Sequence, residues 1–176
     1  MICAKKFKKT VGVGLAVVAL SLSGAEAATA APQPPPVPRA TGIPCFPSTS
    51  RSFTVDVFTV VDKERVTTTT TANGDVVIST TGKLVLRFKN NTTGRDIVKN
   101  VSGSTTEIDH TDGSILFKGT GNNWFGFGPH GQKNTGEPGL VFTSGEVAVT
   151  IVNGTAQRFS LEGHQENGCA ILSGDR

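Results

Sequence analysis

No stretch of this chain carries ten residues of helical period, no cysteine has a partner at zinc-site spacing, and no apolar run reaches the length of a membrane span. Each absence excludes a class. Without apolar residues recurring three and four positions apart there is no amphipathic helix from which to build a bundle. The longest apolar run, Val11–Leu22, is about a dozen residues, whereas a spanning helix needs roughly 20, which argues against an uncleaved anchor. There is no G-x-S-x-G, no Walker loop and no Cys–His pair in a recognisable frame, so the common hydrolase and nucleotide-binding signatures are missing. Glycine-rich stretches occur, but no helix begins behind them to receive a phosphate. Tyrosine is absent and tryptophan occurs once, while Gly, Thr and Val abound. That bias favours strands and turns.

A surplus of positive charge is also missing once the N-terminus is set apart. Lys5, Lys6, Lys8 and Lys9 precede the apolar run, and Ala25-Glu26-Ala27 follows it. This is the charged, apolar and A-x-A order of a secretory signal peptide. Residues 1–27 are therefore expected to be cleaved, and the protein to be secreted, to the exterior or the cell envelope. No cysteine sits at the cleavage site, since Cys3 lies far upstream, so no lipid anchor is expected. Removing four lysines and Glu26 leaves 17 − 4 = 13 basic and 14 − 1 = 13 acidic residues. The formal charge of +3 thus serves export and points to no nucleic-acid partner. No stable membrane insertion is expected after cleavage, and the mature chain is expected to be a monomer.

Of three cysteines, Cys3 leaves with the signal, and Cys45 and Cys169 remain near the two ends of the mature chain. In an oxidising compartment two lone cysteines pair. Such a bridge closes a loop of about 125 residues, worth about 4–5 kcal/mol in the chain-entropy model. The rival is a reactive thiol or a metal pair, but no flanking His or Cys supplies zinc spacing. No metal and no cofactor are expected.

Residues 28–44 contain Pro32, Pro34, Pro35, Pro36 and Pro38. They read as a semi-rigid, polyproline-like linker. The domain, residues 45–176, reads as β throughout. Ser52–Val61 alternates Phe53, Val55 and Val57 against Thr54 and Asp56, and Lys83–Lys89 alternates Leu84, Leu86 and Phe88 against Val85, Arg87 and Lys89. Arg65–Thr71, Arg95–Val101, Ser102–Ile108, Ser114–Lys118, Asn122–Phe127, Leu140–Thr143, Glu146–Val152 and Ala156–Glu162 are the other strands. Asn73-Gly74, Asn90–Gly94, His110–Gly113 and Asn153-Gly154 turn the chain between them. A Gly/Pro-rich loop is expected from about Gly128 to Gly139. Consecutive hairpins favour an up-and-down meander, and closing a meander removes its edges. The expected fold is all-β: a single antiparallel meander barrel of about eight to ten strands, closed by Cys45–Cys169. One face would carry Phe53, Val55, Val57, Leu84, Leu86, Phe88, Ile115, Phe117, Val147, Val149 and Ile151.

Several short runs resemble a pattern in small secreted actinobacterial proteins of unknown function. They are Gly82-Lys83-Leu84-Val85-Leu86, Asn91-Thr92-Thr93-Gly94-Arg95, Pro138–Gly145, and the ending Leu161-Glu162-Gly163-His164-Gln165-Glu166-Asn167-Gly168-Cys169-Ala170. The resemblance covers most of the chain after Cys45. It implies export and a lipocalin-like or allene-oxide-cyclase-like barrel. It carries over no catalytic residue.

Three constellations could carry chemistry. Glu107, Asp109, His110 and Asp112 form the densest polar cluster; carboxylate–imidazole sets bind metals or move protons, although Asp112-Gly113 is also a hairpin turn. The stretch Trp124, Phe125, Phe127 and His130 combines aromatic rings with a long loop and is the candidate ligand-binding set at a barrel mouth. In a solely structural role the same rings would plug the core. Glu162, His164 and Glu166 share a face by alternation, as exposed rim charges also do. Asn90, Asn91, Asn100 and Asn153 stand in N-x-S/T sequons. The leading expectation is a secreted, non-enzymatic β-barrel binding a small apolar or amphipathic ligand in the barrel. One alternative is an isomerase or cyclase in an apolar pocket, with Arg87, Glu107 or His164 aimed inward. The other is a structural or interaction protein of the cell envelope.

Overall fold

Residues 37–47 and 49–174 are described by a computed structural model. The expected signal peptide and most of the linker fall outside the described residues. The strands are β1 (Ala40–Cys45), β2 (Phe53–Thr70), β3 (Val76–Asn90), β4 (Asp96–Asn100), β5 (Ser104–Asp109), β6 (Ile115–Thr120), β7 (Asn122–Gly126), β8 (Leu140–Val152) and β9 (Thr155–Asn167). Two short helices, α1 (Pro129–Thr135) and α2 (Gly168–Ser173), interrupt and end the series. β1 begins at Ala40, so the sheet starts ahead of the boundary expected at Cys45.

All nine strands join one antiparallel sheet in the path β1-β2-β3-β5-β6-β8-β7, with β4 added to β3 and β9 to β8. Neighbours in sequence are mostly neighbours in space, as a meander requires, and the sheet curls as a half-barrel. Ser52–Val61 and Arg65–Thr71 prove to be one long strand, β2, with a register shift between Thr59 and Val61. Leu140–Thr143 and Glu146–Val152 likewise fuse into β8. The polar run Asp62-Lys63-Glu64 and the pair Ser144-Gly145 suggest turns, yet both stay in strands that are exposed or half-buried at those points. Gly145 stays in the ladder at φ 126° opposite Gly163 at φ 152°. A Cβ on Gly145 would lie 2.2 Å from the Glu162 carbonyl oxygen, so only glycine allows this twist.

The sheet divides where β4 passes into β5 and β6 into β7. β5 pairs with β6, but β4 pairs only with β3 and β7 only with β8. At the fork Gly103 lies against the β6–β7 junction; a Cβ there would come within 2.6 Å of the Thr120 and Asn122 carbonyl oxygens. The two resulting flaps, β1-β2-β3-β4 and β7-β8-β9, overlap face on face. Directly opposed pairs run from Ile78 through Glu107 and Phe117 to Val149, all on one face. Phe142 stands an odd number of residues from Val149 on β8 and so projects from the other face. It is nevertheless Phe142, with Trp124, that receives Phe88: the ring centroids are 4.8 and 5.4 Å apart and both pairs are edge-to-face.

Two cores result. The first lies between the flaps and contains Ile43, Phe53, Val55, Val57, Leu84, Leu86, Phe88, Val101, Leu140, Phe142 and Leu172. The second, on the outer face of the β7-β8-β9 flap, is built from Phe127, Val141, Val147 and Val149, with Phe117, Phe125, Ile151, Phe159 and Leu161 against them. The single lining face expected from alternation is therefore corrected. Its N-terminal members fill the first core, whereas Phe117, Val147, Val149 and Ile151 belong to the second. Alternation counts sides within one strand and does not register that one flap lies over the back of another.

Cys45 and Cys169 form the disulfide, joining the end of β1 to the start of α2, with Cα atoms 5.4 Å apart and no solvent exposure. α2 then crosses to the other flap. Its N-cap Asn167 accepts from the Ala170 amide at 3.0 Å, and buried Asn90 donates through Nδ2 to the Leu172 carbonyl at 3.3 Å. Asn90 Oδ1 also accepts from the Thr92 and Thr93 amides, so its burial leaves no polar atom unpaired. The bridge spans 124 residues, and its removal by Cys45→Ala is expected to cost about 4–5 kcal/mol. Denaturant unfolding of wild type and variant checks this: equal midpoints would show that the flaps hold without the bond.

Candidate functional site

The loop expected between Gly128 and Gly139 contains α1. Pro129 starts it, and Gly136 ends it in the left-handed conformation at φ 77°, donating its amide to the Gln132 carbonyl. The helix lies over the second core, with buried Gly131 facing Ala156 and Phe127 at ordinary contact distances. Gln132 Nε2 donates to the Phe127 and Pro44 carbonyls at 2.9 and 3.1 Å, tying the helix to the end of β1.

The four residues expected to bind a ligand do not form one site. Trp124 packs into the first core against Phe88. Phe125 and Phe127 face the second core, stacked on each other at 6.1 Å, each meeting the Phe159 ring edge-to-face at 5.7 Å. Neighbouring residues of a strand point to opposite faces, and here each face has a core. His130 is exposed on α1 and lines an open groove of about 530 Å³ with Asn134, Val152, Asn153, Thr155 and Gln157. Asn134 Nδ2 already donates to the Ala156 carbonyl and Gln157 Oε1, both at 3.2 Å, so part of the groove's polarity is satisfied internally.

Glu162 and His164 are exposed on β9. Glu166 leaves that set and forms an ion pair with Lys99 of β4, whose ammonium also sits 5.2 Å from the Phe142 ring centroid. This contact links the two flaps. Arg87 lies over the Phe58 ring at 5.0 Å, with its guanidinium 4.0 Å from Asp96, away from any apolar cavity. No group of three or more metal-ligating side chains occurs among the described residues.

The acidic cluster is different. His110 Nδ1 lies 3.2 Å from Asp75 Oδ2, and Asp112 accepts from the Ser114 amide and hydroxyl in the β5–β6 turn. Those Ser114 hydrogen bonds hold the Asp112 carboxyl below its ordinary range. Both are turn chemistry. Glu107 and Asp109 instead project together from β5 onto an apolar face. Glu107 stands between Ile78 and Phe117, and Asp109 between Val76 and Ile115. All six side chains are half-buried. Burial, then the charge of Asp109 and a hydrogen bond with it, pushes the Glu107 carboxyl above the usual glutamate range. Asp109 Oδ1 is buried without a hydrogen-bond partner. Among the described residues β5 has substantial contact only with β3 and β6, so there this part of the sheet is a single layer.

Val76 and Ile78 were the lining that sequence reasoning passed over around this pair. The alternation Val76-Val77-Ile78 is doubled by apolar residues on both faces, so it marks no inner side. The carboxyl-bearing face continues through Phe117 into the second core, and across Thr80 to Val66 of β2, which is 61% exposed.

If the aromatic stretch serves packing, Phe127→Ala will cost about 3–5 kcal/mol. It will leave the native emission of Trp124 unchanged, because that ring faces the other core. Chemical unfolding followed by tryptophan fluorescence reads both quantities, and a shift in native emission would place the two rings in one cluster. Comparison with known proteins returned no match to this chain, whether among family models, curated proteins or solved structures, so the site is read from its own geometry.

Proposed function

We propose that this is an exported, non-enzymatic binding protein of the cell exterior or envelope, kin to the small secreted actinobacterial barrels that its turn motifs resemble. Its ligand is a small apolar or amphipathic molecule, carried on the face of β3, β5 and β6 that bears Glu107 and Asp109. The observation that carries this reading is a contrast in filling. The space between the flaps is occupied by the protein's own side chains, with Leu86, Phe88, Leu140 and Leu172 fully buried. The curled face around Val76, Ile78, Ile115 and Phe117 has half-buried apolar groups and, among the described residues, no further element packed substantially on β5. The ligand position therefore moves from the barrel interior, where the sequence puts it, to the open face of the half-barrel. An apolar strip with two central carboxyls matches a molecule with an apolar body and a polar head.

The disulfide agrees with work outside the cytoplasm. Of the three groups an enzyme reading would use, Arg87 and His164 lie away from the apolar face, and Glu107 alone stands on it.

Native mass spectrometry of the disulfide-intact protein, incubated with a single-chain fatty acid and with a single-chain alkylamine, tests the reading. Wild type is expected to retain at least one probe, and Ile78→Lys to lose it at an unchanged melting temperature. No retained probe on wild type, or equal retention by the variant, would overturn the proposal.

A further inference from the structure

We infer that Glu107 and Asp109 share one proton on the face of β5, making the β3–β5–β6 region of the sheet a pH-sensitive element. This stands apart from the identity of any ligand. The geometry is that of two carboxyls two residues apart on one strand, hence on the same side. Their opposed neighbours across both ladders are Ile78 and Phe117 for one, Val76 and Ile115 for the other, none of which titrates or donates a hydrogen bond through its side chain. Thr80 and Gly119, diagonal on the same face, add no charge. The nearest charged groups outside the pair are Asp75 and His110 at the strand ends, and these engage each other. Lys118 belongs to the opposite side by alternation, and His110, past the end of β5, is held by Asp75. Among the described residues no cation on this face therefore compensates two carboxylates.

A buried acceptor without a donor costs free energy comparable to a lost hydrogen bond. Asp109 Oδ1 is such an acceptor. A proton on Glu107 resolves both problems at once: the carboxyl O–H donates to the Asp109 carboxylate, and one of two like charges disappears. The upward push on Glu107 agrees with this arrangement. When the pH rises, the shared proton passes to water, two negative charges face each other on an apolar strip, and β5 loses part of its hold. Because the folded form binds the proton more tightly than the unfolded chain, the stabilisation is complete below the ordinary glutamate range. It is lost as the pH climbs through the raised value.

The test is the melting temperature of the full exported protein with its disulfide intact, wild type against Glu107→Gln, from about pH 4 to about pH 8. The glutamine amide donates permanently to Asp109, so the variant mimics the protonated pair. Wild type is expected to lose a few degrees relative to the variant as the pH rises, and contributions common to both proteins cancel in the difference. Parallel profiles would overturn the inference. Carbon-13 carboxyl NMR on wild type gives an independent reading should the variant fail to fold. Coupled titration of the two groups, with Glu107 above the ordinary range, is the expected result. Independent titration of both in the ordinary range would overturn it.

Discussion

Phe88 lies between Trp124 and Phe142, and the fold depends on that contact. These rings are the point at which one flap of a divided sheet lies over the back of the other. A single curled sheet of nine strands could bury one face by closing on itself, strand pairing with strand at the seam. This chain divides the sheet at the fork beside Gly103 and slides the flaps over each other. The overlap buries the front of one flap and the back of the other. It leaves the front of the second flap to be covered separately, which is the work of α1 over Phe127 and Phe159.

The bonds around that overlap are of different kinds and act at different places. The disulfide fixes the end of β1 to the root of α2. Gln132 reaches from α1 to the Pro44 carbonyl, and Lys99 crosses from β4 to Glu166. Together they hold two flaps that no ladder of hydrogen bonds joins directly. Below the fork the sheet needs no such ties, because its ladders are continuous from β2 to β9, and it is there that a single layer remains with both faces half-exposed. The carboxyl pair occupies that layer. The well-packed part of the molecule thus serves as a support. Of the two buried side-chain atoms without a hydrogen-bond partner among the described residues, Thr143 Oγ1 lies in β8 within that support, and Asp109 Oδ1 lies on the part that no described element covers.

Much of the architecture was legible from residues alone. The Asn73-Gly74 and Asn153-Gly154 turns, the disulfide and the consecutive antiparallel order all follow from local rules that do not depend on distant contacts. The Phe53–Val57 and Leu84–Phe88 alternation located the first core because those strands do bury one side. The Trp124–Phe127 stretch was readable only as aromatic. A strand between two cores buries both of its sides, and its sequence then shows a continuous apolar run with no indication of which ring goes where. Glu107 and Asp109 were legible as members of the densest polar cluster. Their apolar setting was not, since Ile78 and Val76 lie some thirty positions earlier in the chain and meet them only through register.

By itself the sequence determined composition-level and nearest-neighbour properties: the β class, the turns and the alternation within single strands. These depend on residue chemistry and on spacing within about ten positions, where chain geometry leaves little choice. Only the tertiary structure decided which face of which strand is interior. That choice depends on the fork in the sheet and on the twist permitted at Gly145 and Gly163, and alternation carries the same pattern whichever way the flaps are laid. The separation of Trp124 from Phe125 and the uncovered position of the carboxyl pair both follow from it.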